Sequence, residues 1–539
     1  MFFEKNWLID YIVLLNYSFF MEKKIIIADL TEQKINYSSI ECDKEGLELA
    51  LFLQEGDDIV FVPVENRFIN SGYLIVFNSL YDNKITYLRG NSDFFSFFFS
   101  DNISALLVKG SARKLSYISI RDDELAINSC EKLRANGINH TFEIISKGDD
   151  GVLAIGEAGE KCVYSAAVFS SDNKEYFSLS LGAVFGMKNL KAISVLKKGS
   201  EIKEDGKVKK KISKSSIAKK LRREGSAALV DMAFNYGWIN SNYFDSDKDP
   251  RALHLDGFCQ SKIVAASSDA CKNCLISCRR NDMKGFPCPG YKECIALGSA
   301  LGFYSFDKIF RFTQTCFLYG LSPYEVGLLL SSLKKCSGLP FNYPQLIDAD
   351  EAEVVRIISL IGQKKGIGEV VSKGFEKEIT MQGRPLLYDL RGCGIQAIFS
   401  LYGEGEASYP DLILGLTKKY DSFNVGYIAG YLRVYSHAFI KKGIPHIFPI
   451  PLLYEKLFKA SINNRALLKF KLNHFSILGL KSNDLLKLGL DQMNCYDEKR
   501  KTINPIPSIF IDDIKDDGSE LNFVKLISGY NLAISEISR

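Results

Sequence analysis

Histidine is scarce in this chain. Its 539 residues include five, His140, His254, His437, His446 and His474, and no two stand in an HxH or HxxxH pair. The ligand hooks of a zinc hydrolase are therefore missing. Long apolar runs are missing too: the longest uncharged stretch of the N-terminal segment, 11–21, has eleven residues, about half of what a membrane-spanning helix needs. Charge of one sign is not in excess, with 68 Lys and Arg against 64 Asp and Glu. The chain as a whole thus gives no electrostatic reason to expect nucleic acid or an anionic membrane as a partner. Neither a Walker loop nor a GxGxxG fingerprint occurs, and there is no tandem repeat or low-complexity tract.

What is present is globular in character. Hydrophobic residues make up 46% and charged residues 24%, and the length predicts roughly three or four domains. The thirteen cysteines are odd in number and irregularly spaced. That argues against a secreted disulfide framework and for reduced thiols in a cytoplasmic protein, some of them metal ligands. Residues 1–20 read as an extension outside the fold, because Glu4 and Asp10 break the order of a signal peptide and a clean strand pattern begins just after them.

From 21 to 196 short apolar or β-branched runs, at 25–27, 59–63, 73–77, 105–108 and 152–155, alternate with Gly, Asn and Asp turns. This predicts a β-rich domain. Residues 197–224 carry twelve Lys or Arg and four acids and read as a solvated basic linker, with an acidic partner or nucleic acid as the alternative contact. Helical periodicity follows in 225–410, which includes a cysteine hook, and in 411–539. The clearest boundary is Ser322-Pro323-Tyr324-Glu325: an N-cap serine, proline at the first helical position, and glutamate placed to complete a capping box. A helix is predicted from there to about Cys336, and the amphipathic stretch before it, 307–319, ends on the glycine cap Gly320. The fold class is α+β, a β-rich N-terminal domain followed by mostly α-helical domains.

The chemistry concentrates in Cys271-Lys-Asn-Cys274-Leu-Ile-Ser-Cys278. Gaps of two and three residues let one compact loop aim three thiolates at a soft metal, with Arg279 and Arg280 offsetting their charge. Zinc sites pair two short hooks across a longer loop, so three thiols in one hook favour iron–sulfur. Three ligands do not close the site. Cys288 is near in sequence, Cys259, Cys294, Cys336 and Cys393 are further candidates, and Cys316 reads as core packing on an apolar helix face. A second feature is the run Leu181-Gly-Ala-Val-Phe-Gly-Met-Lys-Asn-Leu-Lys191, after Gly156-Glu-Ala-Gly-Glu160. Gly182 and Gly186 allow close backbone approach, and Lys188 and Lys191 suit a phosphorylated cofactor.

Together with the hook these segments resemble the aldehyde ferredoxin oxidoreductase family of tungsten or molybdenum enzymes. Further collinear pieces are 227–244, Ala296-Leu-Gly-Ser-Ala-Leu-Gly302, Cys316-Phe-Leu-Tyr-Gly-Leu321, Gly366-Ile-Gly-Glu369 and Tyr388-Asp-Leu-Arg-Gly392, so the resemblance covers nearly the whole chain. It implies a β-rich base for a bis-pterin carrying tungsten or molybdenum, helical domains closing over it, and a 4Fe-4S cluster on Cys271, Cys274 and Cys278. It also implies oxidation of a small aldehyde to a carboxylic acid, with ferredoxin or another electron-transfer protein taking the electrons, in a homodimer or a larger complex. No nucleic acid and no membrane enter this picture.

Carried over position by position, the resemblance puts Asn91, Ser180, Gly182, Gly320 and Leu321 at the cofactor and Glu293 at the substrate as a catalytic residue. The sequence also departs from the family. Ser178-Leu179-Ser180 stands for an Arg-Gly-Gly run, Lys292 for a glutamate with Glu293 adjacent, Ser408 for a histidine, and Phe317 and Ser322 for acids of a pterin motif. Asn473, beside His474, falls where the fourth cluster cysteine is expected. Three functions are thus in play: an aldehyde-oxidising oxidoreductase, a non-catalytic paralogue serving as a structural or electron-relay subunit, and a zinc-stabilised binding module.

Overall fold

The structure is a computed structural model of the chain. It describes 21–64, 72–92, 102–196, 214–236, 249–263, 276–335, 349–374, 421–441, 464–500 and 523–538, apart from 82, 123, 147, 149, 173–174 and 478–479. Shorter described pieces are 94, 210, 212, 239, 267–269, 274, 380–381, 384–385, 457–458 and 461. The extension 1–20, Cys336, Gly338, Cys393 and Ser408 lie outside the described residues.

The predicted strands form. β1 (Met21–Asp29), β2 (Lys34–Cys42), β3 (Ile59–Val64), β4 (Gly72–Ser79), β5 (Lys84–Gly90) and β6 (Ile103–Lys109) make one sheet in the order β2-β1-β6-β3-β4-β5. β7 (Ser116–Arg121), β8 (Glu124–Ser129), β9 (Asp150–Ile155), β10 (Val168–Ser170), β11 (Tyr176–Phe177) and β12 (Leu190–Leu196) make a second, in the order β11-β10-β9-β12-β7-β8. Each sheet is antiparallel except for one parallel pair, β1 with β6 and β12 with β7.

Alternation along the strands decides what each face covers. Ile26, Ala28, Phe61, Ile75 and Phe77 of the first sheet share one core with Ile118, Ile120, Leu153, Ile155 and Ile193 of the second. The intervening Ile25, Val60, Val62, Leu74 and Val76 pack outward against helix α1 (Gly46–Leu53) and Tyr496. On the other side Val152 and Ala154 pack against α2 (Ile138–Ile145). Covering both outer faces is why these strands read as continuous apolar runs instead of clean alternations. Two short helices interrupt the strands, α3 (Glu157–Glu160) and α4 (Leu181–Met187).

The helical part comprises α5 (Ser216–Glu224), α6 (Ala228–Tyr236), α7 (Gly257–Ile263), α8 (Phe306–Tyr319), α9 (Pro323–Lys335), α10 (Glu351–Gln363), α11 (Ser422–Lys441), α12 (Arg465–His474), α13 (Ser482–Arg500) and α14 (Phe523–Ile537). One apolar cluster runs through it from Ala158 to Ala533. α13 ties it to the sandwich: Tyr496 donates its hydroxyl hydrogen to the Ile85 carbonyl at 2.8 Å. His437 of α11 is fully buried, its Nδ1 3.4 Å from the Tyr87 hydroxyl, and burial pushes its pKa well below the usual histidine value. It is a neutral core imidazole at neutral pH.

The expected helix pair is present as α8 and α9, with Gly320 between them at φ 76°. Only half of the capping box forms. Ser322 Oγ accepts from the Glu325 N–H at 3.3 Å, but the Glu325 carboxyl turns away and accepts from the Leu179 N–H at 2.8 Å. Within the stretch read as a basic linker, Ser216–Glu224 are helical. Ser215 Oγ caps the Ala218 N–H, and Ala218 and Leu221 supply a buried stripe. Among the described residues no helix is long and apolar enough to cross a membrane.

Candidate functional site

The cysteine hook lies between two short paired strands, β13 (Ser267–Asp269) and β14 (Arg279–Asn281). Cys271 is outside the described residues. Cys274 and Cys278 are half-buried against the helical core. Burial pushes the Cys278 thiol up to about 12, the neighbouring Cys274 adds to the rise, and Arg279 opposes it. The Cys278 carbonyl accepts from the Ser226 N–H at 2.7 Å, and the Cys288 N–H donates to the Arg280 carbonyl at 2.8 Å. Cys288 therefore runs back along β14 towards the hook. Cys294 is fully buried, with Gln260 Nε2 3.2 Å from its sulfur. Asn473 and His474 are exposed at the end of α12, where His474 Nδ1 lies 2.8 Å from the Phe470 carbonyl. Among the described residues no group of three or more His, Cys, Asp or Glu is placed to hold a metal ion. The thiols present suit a soft metal centre.

Arg279, next after Cys278, connects the hook to the sandwich. Its guanidinium is 3.3 Å from the buried Glu175 carboxylate. Glu175 also accepts from the Asn91 backbone N–H at 2.9 Å and from Asn91 Nδ2 at 3.3 Å. Asn91 is thus held by the end of the second sheet. Glu293 closes a single helical turn, accepting from the Gly290 N–H at 2.8 Å and from the Tyr176 hydroxyl at 2.5 Å. Both carboxylate oxygens already have a donor from the protein.

Ser180 and its neighbours sit where the first domain meets α9. Leu179 and Ser180 are left-handed, at φ 55° and 66°, a conformation that costs a non-glycine residue about 1–2 kcal/mol. Local bonds hold it. The Leu80 N–H donates to Ser180 Oγ at 2.8 Å, the Leu179 N–H donates to Glu325, and Ser178 and Ser322 share a hydrogen bond at 2.9 Å. Burial raises the Glu325 carboxyl to about 8, and the Leu179 N–H, the Tyr81 hydroxyl and the charge of Lys292 only partly oppose it.

The glycines expected at the cofactor are packed against protein backbone. Gly182 is the second residue of α4, where an added Cβ would lie 2.6 Å from the Ala166 carbonyl carbon. A Cβ on Gly320 would lie 2.5 Å from the Gly156 nitrogen. The Ala167 N–H donates to the Gly320 carbonyl at 2.9 Å, and Leu321 pairs with Ala166 in an isolated β-bridge. Lys188 is bonded to Asp57 and the Gly110 carbonyl, and Lys191 forms a buried ion pair with Glu160. The reading of these lysines as phosphate neutralisers is corrected by their partners, which lie far away in sequence.

A pterin phosphate needs cations or open N–H donors at its cradle. Here the described donors are engaged by protein, the neighbouring buried carboxyls are Glu175 and Glu325, and backbone fills the space at Gly182 and Gly320. At Asn91, Ser180, Gly182 and Gly320 the described donors and backbone are thus committed to protein contacts. Sequence reasoning took Glu325 for a cap and passed over Glu175, whose neighbours Tyr176 and Phe177 gave only a strand signal.

Comparison with known proteins identifies the scaffold as that of an oxidoreductase family. The family described as aldehyde ferredoxin oxidoreductase, N-terminal domain, matches residues 65–197, and aldehyde ferredoxin oxidoreductase, domains 2 & 3, matches 205–397. The chain belongs to the aldehyde ferredoxin oxidoreductase family. The tungsten-containing aldehyde ferredoxin oxidoreductase of Pyrococcus furiosus is 27% identical over 312 residues, 52% of this chain and 51% of that protein. That of Thermococcus kodakarensis is 27% identical over 307 residues, covering 52% and 50%. The chain thus spans about half the length of the curated relatives it matches. In overall fold it is similar to a solved structure, the active site complex BamBC of benzoyl coenzyme A reductase in complex with 1,5 dienoyl-CoA, at TM-score 0.65 and 15% identity over 95% of both chains.

Proposed function

We propose that this chain is a redox subunit of its family in which a 4Fe-4S cluster on Cys271, Cys274 and Cys278 passes electrons singly to ferredoxin or a similar carrier. The observation that carries this reading is the short β13–β14 hairpin. It brings Cys274 and Cys278 together beside Arg279 and Arg280, on a hook that Glu175 ties to the sandwich. An anionic thiolate cluster is stabilised by flanking cations and a fixed backbone. On this reading the metal-pterin is not part of the chain, which serves as an electron relay within a larger assembly.

A second reading is oxidation of a small aldehyde by this chain itself on a tungsten or molybdenum bis-pterin. Aldehyde and water become carboxylic acid, two protons and two electrons. The family match favours it, as do two buried acceptors, Asn91 Oδ1 and Ser165 Oγ, that have no hydrogen-bond partner among the described residues. Elemental analysis of anaerobically purified protein separates the two. The relay reading expects about four iron atoms per chain and neither tungsten nor molybdenum. One heavy metal per chain supports the second reading, and stoichiometric zinc without iron defeats both.

A further inference from the structure

We propose that α5 and α7 together form the docking face for an acidic electron carrier. This rests on the relay reading above and adds to it the place where the carrier binds. The two helices meet: an added Cβ on Gly257, the first residue of α7, would lie 2.2 Å from the Glu224 carbonyl at the end of α5. The end of α5 also touches the hook. Arg280 donates a hydrogen bond to the Arg222 carbonyl, and Ser226, just past the helix, donates to the Cys278 carbonyl at 2.7 Å. A carrier bound on α5 is therefore next to the backbone that holds a cluster thiol.

The charge and polarity of this face fit such a carrier. The sequence from 209 to 223 contains eight Lys or Arg and no acid, although the whole chain is nearly neutral. Lys219 and Arg223 are exposed one turn apart on the same side of α5, opposite the buried Ala218 and Leu221. Lys220 pairs with Asp231, and Arg223 pairs with Glu224. Lys214 and Lys219 are exposed and have no ion pair among the described residues. α7 adds apolar surface: Phe258 and Ile263 are 51% and 54% exposed, and Lys262 lies over the Phe258 ring at 4.2 Å. Small apolar patches ringed by one sign of charge suit brief redox encounters, in which complementary charge sets the association rate.

The test uses the full chain, purified anaerobically and reduced with dithionite, and mixes it with an oxidised acidic bacterial ferredoxin in a stopped-flow instrument. A neutral quinone serves as a small oxidant for comparison. Lys214→Glu with Lys219→Glu is expected to lower the ferredoxin rate at low salt about ten-fold or more and to flatten its salt dependence, leaving the quinone rate unchanged. Ferredoxin binding by calorimetry reads the same face without using the cluster. Loss of binding in the double variant supports the docking face even in a preparation lacking iron. A ferredoxin rate and affinity indifferent to both salt and substitution overturn the proposal. So does lysine-dependent binding of RNA or of anionic vesicles by a chain that does not bind ferredoxin.

Discussion

Replacing Glu325 with glutamine is expected to stabilise the fold at about pH 8.5 and to leave it nearly unchanged at about pH 5. The wild-type carboxyl is fully enclosed, and burial raises its pKa from 4.5 to about 8. A raised acid keeps its proton in the fold after the unfolded chain has lost it. Its stability contribution is therefore complete below about pH 4.5 and declines through the window from there to about 8. Over that window the decline is on the order of 3–5 kcal/mol. Glutamine keeps an acceptor for the Leu179 N–H and has no charge to bury. Chemical denaturation of both proteins at the two pH values measures the difference. Equal stabilities at high pH contradict the assignment of Glu325 as a buried neutral acid.

Glu175→Ala is expected to destabilise the fold at neutral pH. One carboxylate holds the Asn91 N–H, the Asn91 side chain and Arg279. Removing it strands a buried N–H and leaves a guanidinium that is three-quarters enclosed without this partner. The expected cost is about 3 kcal/mol or more, and the hook loses its tie to the sandwich. Glu175→Gln, which retains one acceptor oxygen, is expected to lose less. Denaturation midpoints and iron retained per chain are the readouts. An alanine variant as stable as wild type, with undiminished iron, contradicts the linking role of Glu175.

Both glutamates illustrate what local sequence signals carry. The strand runs at 25–27, 59–63 and 152–155 and the Gly320 cap were legible because alternation and a left-handed glycine are local properties. Glu325 carried a correct local signal for the start of α9. Its carboxyl nevertheless bonds Leu179, 146 positions away, and no pattern around residue 325 encodes that partner. Lys188 and Lys191 suggested a phosphate because they follow glycines, and their actual partners, Asp57 and Glu160, come together only when the strands pair. Leu179 and Ser180 stand where the family's Arg-Gly-Gly run has its two glycines. The backbone keeps the left-handed turn, because Leu80 and Glu325 supply bonds that hold Leu179 and Ser180 there.

On the relay reading the three hook thiols hold a redox-active iron–sulfur centre. Low-temperature paramagnetic resonance of the dithionite-reduced protein, wild type beside Cys274→Ser and Cys278→Ser, tests it most directly. The expected result is a reduced-cluster signal in the wild type that is lost or markedly altered in each variant. A wild type without signal or iron, or variants whose spectrum and iron content match the wild type, would contradict it.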